Sequence, residues 1–184
     1  IYAFRHEKIR ESLLNELSPG RKRLLNQKCA AVLEGYHAAQ KDLYASKIAL
    51  HYEAAGDLLK AFEYWKSAGK NAYRLGAPYD CLEAYRRAER LLPRAIGLGD
   101  EQIYELYVSW MELAFENDDA IELERLSQTL LTLGRERNSD LLIGTSYTAL
   151  GESHMARNQF EQALEAADAG LAHIIRSGHQ AEFA

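Results

Sequence analysis

Residues 48–68 read IALHYEAAGDLLKAFEYWKSA and residues 150–170 read LGESHMARNQFEQALEAADAG. Shifted by 102 positions the two windows match slot for slot: Ile48-Ala49 against Leu150-Gly151, Tyr52 against His154, Gly56 against Asn158, Ala61 against Ala163, Trp65 against Ala167 and Ala68 against Gly170. Glycine or alanine fills the slots where two helices must approach closely, and a ring or a leucine fills those where a neighbour supplies a socket. Recurrence of such a pattern within one chain is how stacked helical hairpins are written into sequence.

Outward from these windows the apolar residues keep a helical spacing. Leu25, Cys29, Val32, Leu33 and Tyr36 predict one helix, and Ala45, Ile48, Ala49, Tyr52 and Ala55 a second that ends at Gly56-Asp57. Phe62, Trp65, Ala68 and Gly69 share the face of a third, and Gly76 followed by Pro78 supplies a stop and a start within three residues. Cys81, Tyr85, Ala88 and Leu91 line the next helix, after which Pro93 and Gly97 to Asp100 make the longest break. Beyond it, helices on Ile103 to Ala114 and Ala120 to Leu133 turn at Asn117-Asp118, with Gly134 as the terminator. A final pair spans about 140–157 and 160–176, turning at Asn158-Gln159. The expected organisation is a segment 1–20 followed by helical repeats over 21–184, in pairs near 21–56, 58–93, 101–134 and 140–176. Ile1-Tyr2-Ala3-Phe4 alternates and predicts a short strand at the N-terminus, ahead of a helix that stops at Leu17.

The chain has 184 residues, 47% apolar and 27% charged, with three prolines and a net charge of −5. That is an ordinary globular composition, with no 18-residue apolar run for a membrane span and no basic field to hold nucleic acid. Cys29 and Cys81 sit at apolar helix positions and read as buried free thiols. The first residue is Ile1 and the last stretch carries no cap, so the sequence reads as a piece of a longer cytoplasmic chain.

The slots described above resemble the tetratricopeptide repeat from about Asp42 onward. Gly69, Gly76, Cys81, Tyr85, Ala88 and Pro93 add a further match. The turn markers Gly76, Asp118 and Asn158 stand about 40 residues apart, against about 34 in the standard repeat. The resemblance implies an all-α fold of antiparallel helix pairs stacked as a right-handed superhelix, an α-solenoid. An unrelated helical bundle is the alternative, and it would close its core on itself.

A second resemblance starts earlier. Phe4-Arg5-His6, Ile9-Arg10-Glu11, Arg21-Lys22-Arg23-Leu24 and Leu50-His51-Tyr52-Glu53-Ala54-Ala55-Gly56-Asp57 are similar to the junction in bacterial STAND-class signal-transduction ATPases, where a winged-helix domain gives way to helical repeats. The resemblance implies that His6 and Glu7 sense the nucleotide phosphate in the parent protein. Glutamate stands there in place of the commoner aspartate, and the plainer reading is that the two residues start a helix. No GxxxxGKS/T loop occurs, so this sequence cannot bind ATP by that route.

Other motifs carry little chemistry. His37, His51, His154, His173 and His179 form neither HxxxH nor HExxH, so no metal site and no cofactor is expected. No GxSxG marks a nucleophile, and no catalytic residue is assigned. Arg21-Lys22-Arg23 and Arg86-Arg87-Arg90-Arg94 read as solvated faces among acidic neighbours. In a solenoid, Lys66, Lys70, Tyr73 and Arg74 would line an inward groove beside Glu152 and Met155, suited to an acidic peptide; ordinary solvated faces are the alternative.

The function expected is therefore protein or peptide binding: a sensor module of a regulatory ATPase, whose partner is another protein, an inducer or the parent chain's own ATPase domain. A free-standing scaffold is the second reading. An enzyme with a pocket in the concave face is the third.

Overall fold

The computed structural model describes residues 16–36 and 41–179. Among these residues every regular element is a helix, as the patterning predicts, and there is no strand. The strand expected at residues 1–4 lies outside the described residues. The chain divides into two compact units at Ile96 and Gly97, inside its longest break.

The first unit holds α1 (Pro19–Tyr36), α2 (Lys41–Ala55), α3 (Leu58–Arg74) and α4 (Pro78–Leu91). Each packs on its neighbour in sequence, α1 on α2, α2 on α3 and α3 on α4. Ile48 and Tyr52 of α2, Phe62 and Trp65 of α3, and Cys81 and Tyr85 of α4 form the buried interior. Gly69 lets α4 approach: a Cβ there would stand 2.1 Å from a ring carbon of Tyr85.

The second unit holds α5 (Asp100–Glu116), α6 (Ala120–Arg137), α7 (Asp140–Ala156) and α8 (Phe160–Ser177). Here too neighbours in sequence pack together, and α5 also packs on α7. Trp110, Tyr107, Leu123, Leu126 and Leu130 are fully buried. Gly144 and Gly170 sit where α7 and α8 touch; added Cβ atoms would meet Ile174 at 2.6 Å and Tyr147 at 3.0 Å.

One turn design recurs. Gly56, Gly76, Asp118, Asn138, Asn158 and Gly178 all adopt left-handed backbone, with φ between 52° and 86°. Their spacing is 20 residues within each run, 56 to 76 and then 118 to 138 to 158 to 178. After five of them the next amide donates to the carbonyl five residues back, as from Asp57 to Tyr52 (3.0 Å) and from Gln159 to His154 (2.9 Å). This closes the helix end with a Schellman pattern. Asp57, Asp119 and Ser139 then cap the following helices by accepting from Lys60, Glu122 and Leu142 amides. A helix of 17 or 18 residues, about 26 Å long, plus a two- or three-residue turn gives the period.

Two expectations are corrected. Gly134 does not end its helix, because α6 continues to Arg137 and Asn138 is the left-handed cap. Gly134 instead admits α7: a Cβ on it would lie 2.7 Å from Ile143. Cys81 is buried, but Cys29 is only partly so.

Candidate interaction surfaces

The residues expected to share one groove fall in different units. Lys66, Lys70, Tyr73 and Arg74 belong to α3, whereas Glu152 and Met155 belong to α7.

On α3, Lys66 is a correction. It is only 7% exposed, with Nζ 2.9 Å from Glu63 and 5.9 Å from the Phe62 ring centre. The buried stripe of α3 is wide enough to include position 66, and the aliphatic stem of a lysine packs as readily as an apolar side chain. Lys70 is exposed and Tyr73 half-buried. Arg74 is exposed and donates to Asp42 of α2 at 3.0 Å, while the Ser67 hydroxyl donates to the other oxygen of the same carboxylate at 3.1 Å. Such an exposed pair contributes about 0–1 kcal/mol.

Next to this edge a hollow of about 390 Å³ lies among α2, α3 and α4, lined by Leu50, Trp65, Ala84 and Arg87 among others. The Trp65 indole donates to Glu53 at 3.0 Å, and the Arg87 guanidinium lies over its ring at 4.8 Å. Arg87 also donates to Glu83 at 2.8 Å, which with the charge of Arg90 holds the Glu83 carboxyl below its ordinary value.

A polar junction ties α1 to α2 and α3. Glu34 of α1 accepts hydrogen bonds from the hydroxyls of Tyr52 and Tyr64, and Lys60 stands 3.8 Å away. Partial burial raises the Glu34 pKa, but the two hydroxyls and Lys60 outweigh it and the net direction is downward. Burial and the adjoining carboxylate raise Tyr64. Nothing local in the sequence links Glu34 to residues 18 and 30 positions away.

Another open surface lies in the second unit. A groove of about 550 Å³ runs between α7 and α8, with Glu152, Met155, Gly151, Phe160, Leu164, Ala167 and Leu171 in its lining. Phe160, Leu164 and Leu171 are 61%, 64% and 58% exposed. Helix α8 therefore has two apolar faces: Ala163, Ala166 and Gly170 are buried, while Phe160, Leu164 and Leu171 face outward. Ala167, expected to fill a contact slot with Ala163 and Gly170, is a correction: it is exposed and lies with Phe160, Leu164 and Leu171 on the second stripe, one helical step off the buried one.

Glu152 is the chemically unusual group here. One of its carboxylate oxygens is buried with no hydrogen-bond partner. Burial, followed by the charge of Glu112, pushes its pKa up to about 7. A desolvated carboxyl of this kind is poised to accept a cation or a donor.

His6 and Glu7 lie outside the described residues, as does His37. His51 Nδ1 is 2.9 Å from Asn26, His154 Nδ1 is 2.8 Å from Gln159, His173 contacts Asp140 and His179 contacts Glu101, each a local tie. Among the described residues no group of three His, Cys, Asp or Glu is placed to hold a metal ion, and no helix is long and apolar enough to cross a membrane. Comparison with family models, curated proteins and solved structures yields no match.

Proposed function

We propose that this chain is a helical-repeat binding module, a tetratricopeptide-like right-handed stack whose exposed surfaces engage protein or peptide. The observation that carries the reading is the left-handed turn repeated every 20 residues within each unit, with helix packing on sequence neighbours. Packing of α5 on α7 supports it further, because alternate helices touch when hairpins are laid side by side. The α7–α8 groove suits binding: its lining is mostly apolar, with Glu152 as its one carboxyl.

Within this reading the module senses a partner protein or inducer for a bacterial STAND-class ATPase, and works in the cytoplasm. That part rests on the similarity of residues 2–11, 21–24 and 50–57 to the junction of such regulators. A free-standing adaptor is the competing reading.

Two experiments test the proposal. Selection of phage-displayed peptides on the purified chain should enrich a consensus that binds it saturably; failure to enrich any sequence overturns the binding role. Sequencing the gene upstream of the Ile1 codon should reveal a GxxxxGKS/T loop. A start codon directly before Ile1 overturns the ATPase assignment and leaves the adaptor.

A further inference from the structure

Helix α1 meets the rest of its unit with a stripe that is largely polar. Its residues that are at least partly buried are Lys22, Asn26, Cys29, Ala30, Leu33 and Glu34, which follow a helical spacing. Leu24, Leu25, Val32 and Tyr36 lie off that stripe and are 52%, 43%, 67% and 80% exposed. Ala30 is the one buried residue of α1, whereas α2 buries Ala45, Ile48, Ala49 and Tyr52, and α3 buries Ala61, Phe62, Trp65 and Ala68 among others. Lifting α1 away would therefore return little apolar surface of its own to water. The contacts that join α3 to α4, Tyr85 on Gly69 and Arg87 over Trp65, lie wholly within those two helices.

The ties from α1 to its neighbours are polar as well. Glu34 accepts from the Tyr52 hydroxyl of α2 and the Tyr64 hydroxyl of α3. Lys60 Nζ stands 3.8 Å from the same carboxylate and donates to the Tyr52 hydroxyl at 3.1 Å. The two tyrosine rings are stacked with centres 5.7 Å apart, so α2 and α3 present both hydroxyls from one platform. Eight residues earlier on α1, Asn26 Oδ1 lies 2.9 Å from His51 Nδ1 of α2. Water can take over such hydrogen bonds once a helix lifts, which it cannot do for a buried apolar contact.

We propose that α1 is a latch, a helix that releases from α2 and α3 as one unit while α2–α4 stay folded, with Glu34 as its catch on the Tyr52–Tyr64–Lys60 platform. Released, it uncovers two phenol donors and an ammonium group that converge on the place of a carboxylate. Docked, it fills that place and closes the platform to any other segment bearing a carboxylate, so the contact is autoinhibitory. Charge-assisted hydrogen bonds make the catch strong enough to hold and specific enough to be lost with one group.

Native-state amide exchange of the whole chain at pH 7, followed through low urea concentrations, tests the latch. The amides of Ala30 to Glu34 should exchange about tenfold or more faster than those of Phe62 to Gly69, and with little dependence on urea, because a local opening exposes little surface. Gly69→Ala, which strikes the α3–α4 contact, should speed exchange in α3 and α4 and leave α1 unchanged. Glu34→Gln should speed exchange in α1 about tenfold, and Tyr64→Phe, which removes one of the two hydroxyl donors, by a smaller factor. If α1 exchanges in step with α3, with the same steep urea dependence, the helices open together and the latch is overturned. Exchange in α1 that ignores Glu34→Gln overturns Glu34 as the catch. Should Gly69→Ala fail to fold, the urea dependence of the wild-type chain decides alone.

Discussion

Tyr85 presses its ring so closely on Gly69 that a methyl group at residue 69 would stand 2.1 Å from the nearest ring carbon. Gly69 lies inside α3, where glycine costs a helix about 1 kcal/mol relative to alanine. The contact with α4 outweighs that cost. Gly69→Ala should therefore destabilise the chain by about 1–3 kcal/mol through displacement of a buried ring. Gly151 makes the contrasting case, since an added Cβ there meets only Ala163 O at 3.5 Å and Ala166 at 3.8 Å. Gly151→Ala should stabilise by about 0.5–1 kcal/mol, and urea denaturation of both variants measures the opposite signs.

The turns offer a second test. Asp118 holds a left-handed conformation with φ 52°, as Gly56 does with φ 86°. A side chain in this region costs about 1–2 kcal/mol, somewhat less for aspartate. Asp118→Gly should raise stability by a few tenths to about 1 kcal/mol, and Gly56→Ala should lower it by about 1 kcal/mol. Equal melting temperatures for the Gly56→Ala and wild-type chains would contradict this account of the turn.

Glu34 predicts an acid-sensitive joint. Its folded pKa lies below its ordinary 4.5, so the stability it contributes is complete above about pH 4.5 and disappears as pH falls through the folded value. Glu34→Gln keeps an acceptor but removes the charge that draws in both tyrosines and Lys60. At pH 7 the loss should be about 1–2 kcal/mol, and the variant and wild-type curves should converge as pH falls through the folded value of Glu34.

Glu152 predicts the reverse slope. Its folded pKa is raised from 4.5 to about 7, so the folded chain holds a proton there that the unfolded chain releases. Between those two values stability falls as pH rises, and above about pH 7 the penalty is complete. Replacing the carboxyl with the leucine found at the equivalent position 50, Glu152→Leu, should stabilise the chain at pH 8 by about 1–2 kcal/mol. At pH 4 the gain should shrink, and thermal melts at both pH values measure the change.

The all-helical fold and its turns were readable because their signals are local. Gly56-Asp57, Gly76 before Pro78, Asn117-Asp118 and Asn158 announce left-handed caps by residue type alone. Gly134 masks the true cap at Asn138, since a glycine near a helix end signals a stop and a close contact equally well. Lys66 shows a different limit. A periodic stripe marks the middle of a buried face, while its edge depends on how far the neighbouring helix reaches. The tie between Glu34 and the tyrosines and the second apolar face of α8 depend on which helices end up adjacent. On α8 the buried alanine and glycine stripe and the exposed leucine stripe run side by side, and their residue types do not say which of them meets α7.

The even spacing of the left-handed turns has a consequence for length variation. Each turn reverses the chain, so excising one 20-residue period, such as 138–157, would leave the residues that follow running the wrong way for their partners. Removing or duplicating 40 residues, 118–157, restores the direction and joins one cap to a cap of the same geometry. Insertions and losses in genes of this type should therefore be tolerated in whole hairpins and selected against in halves.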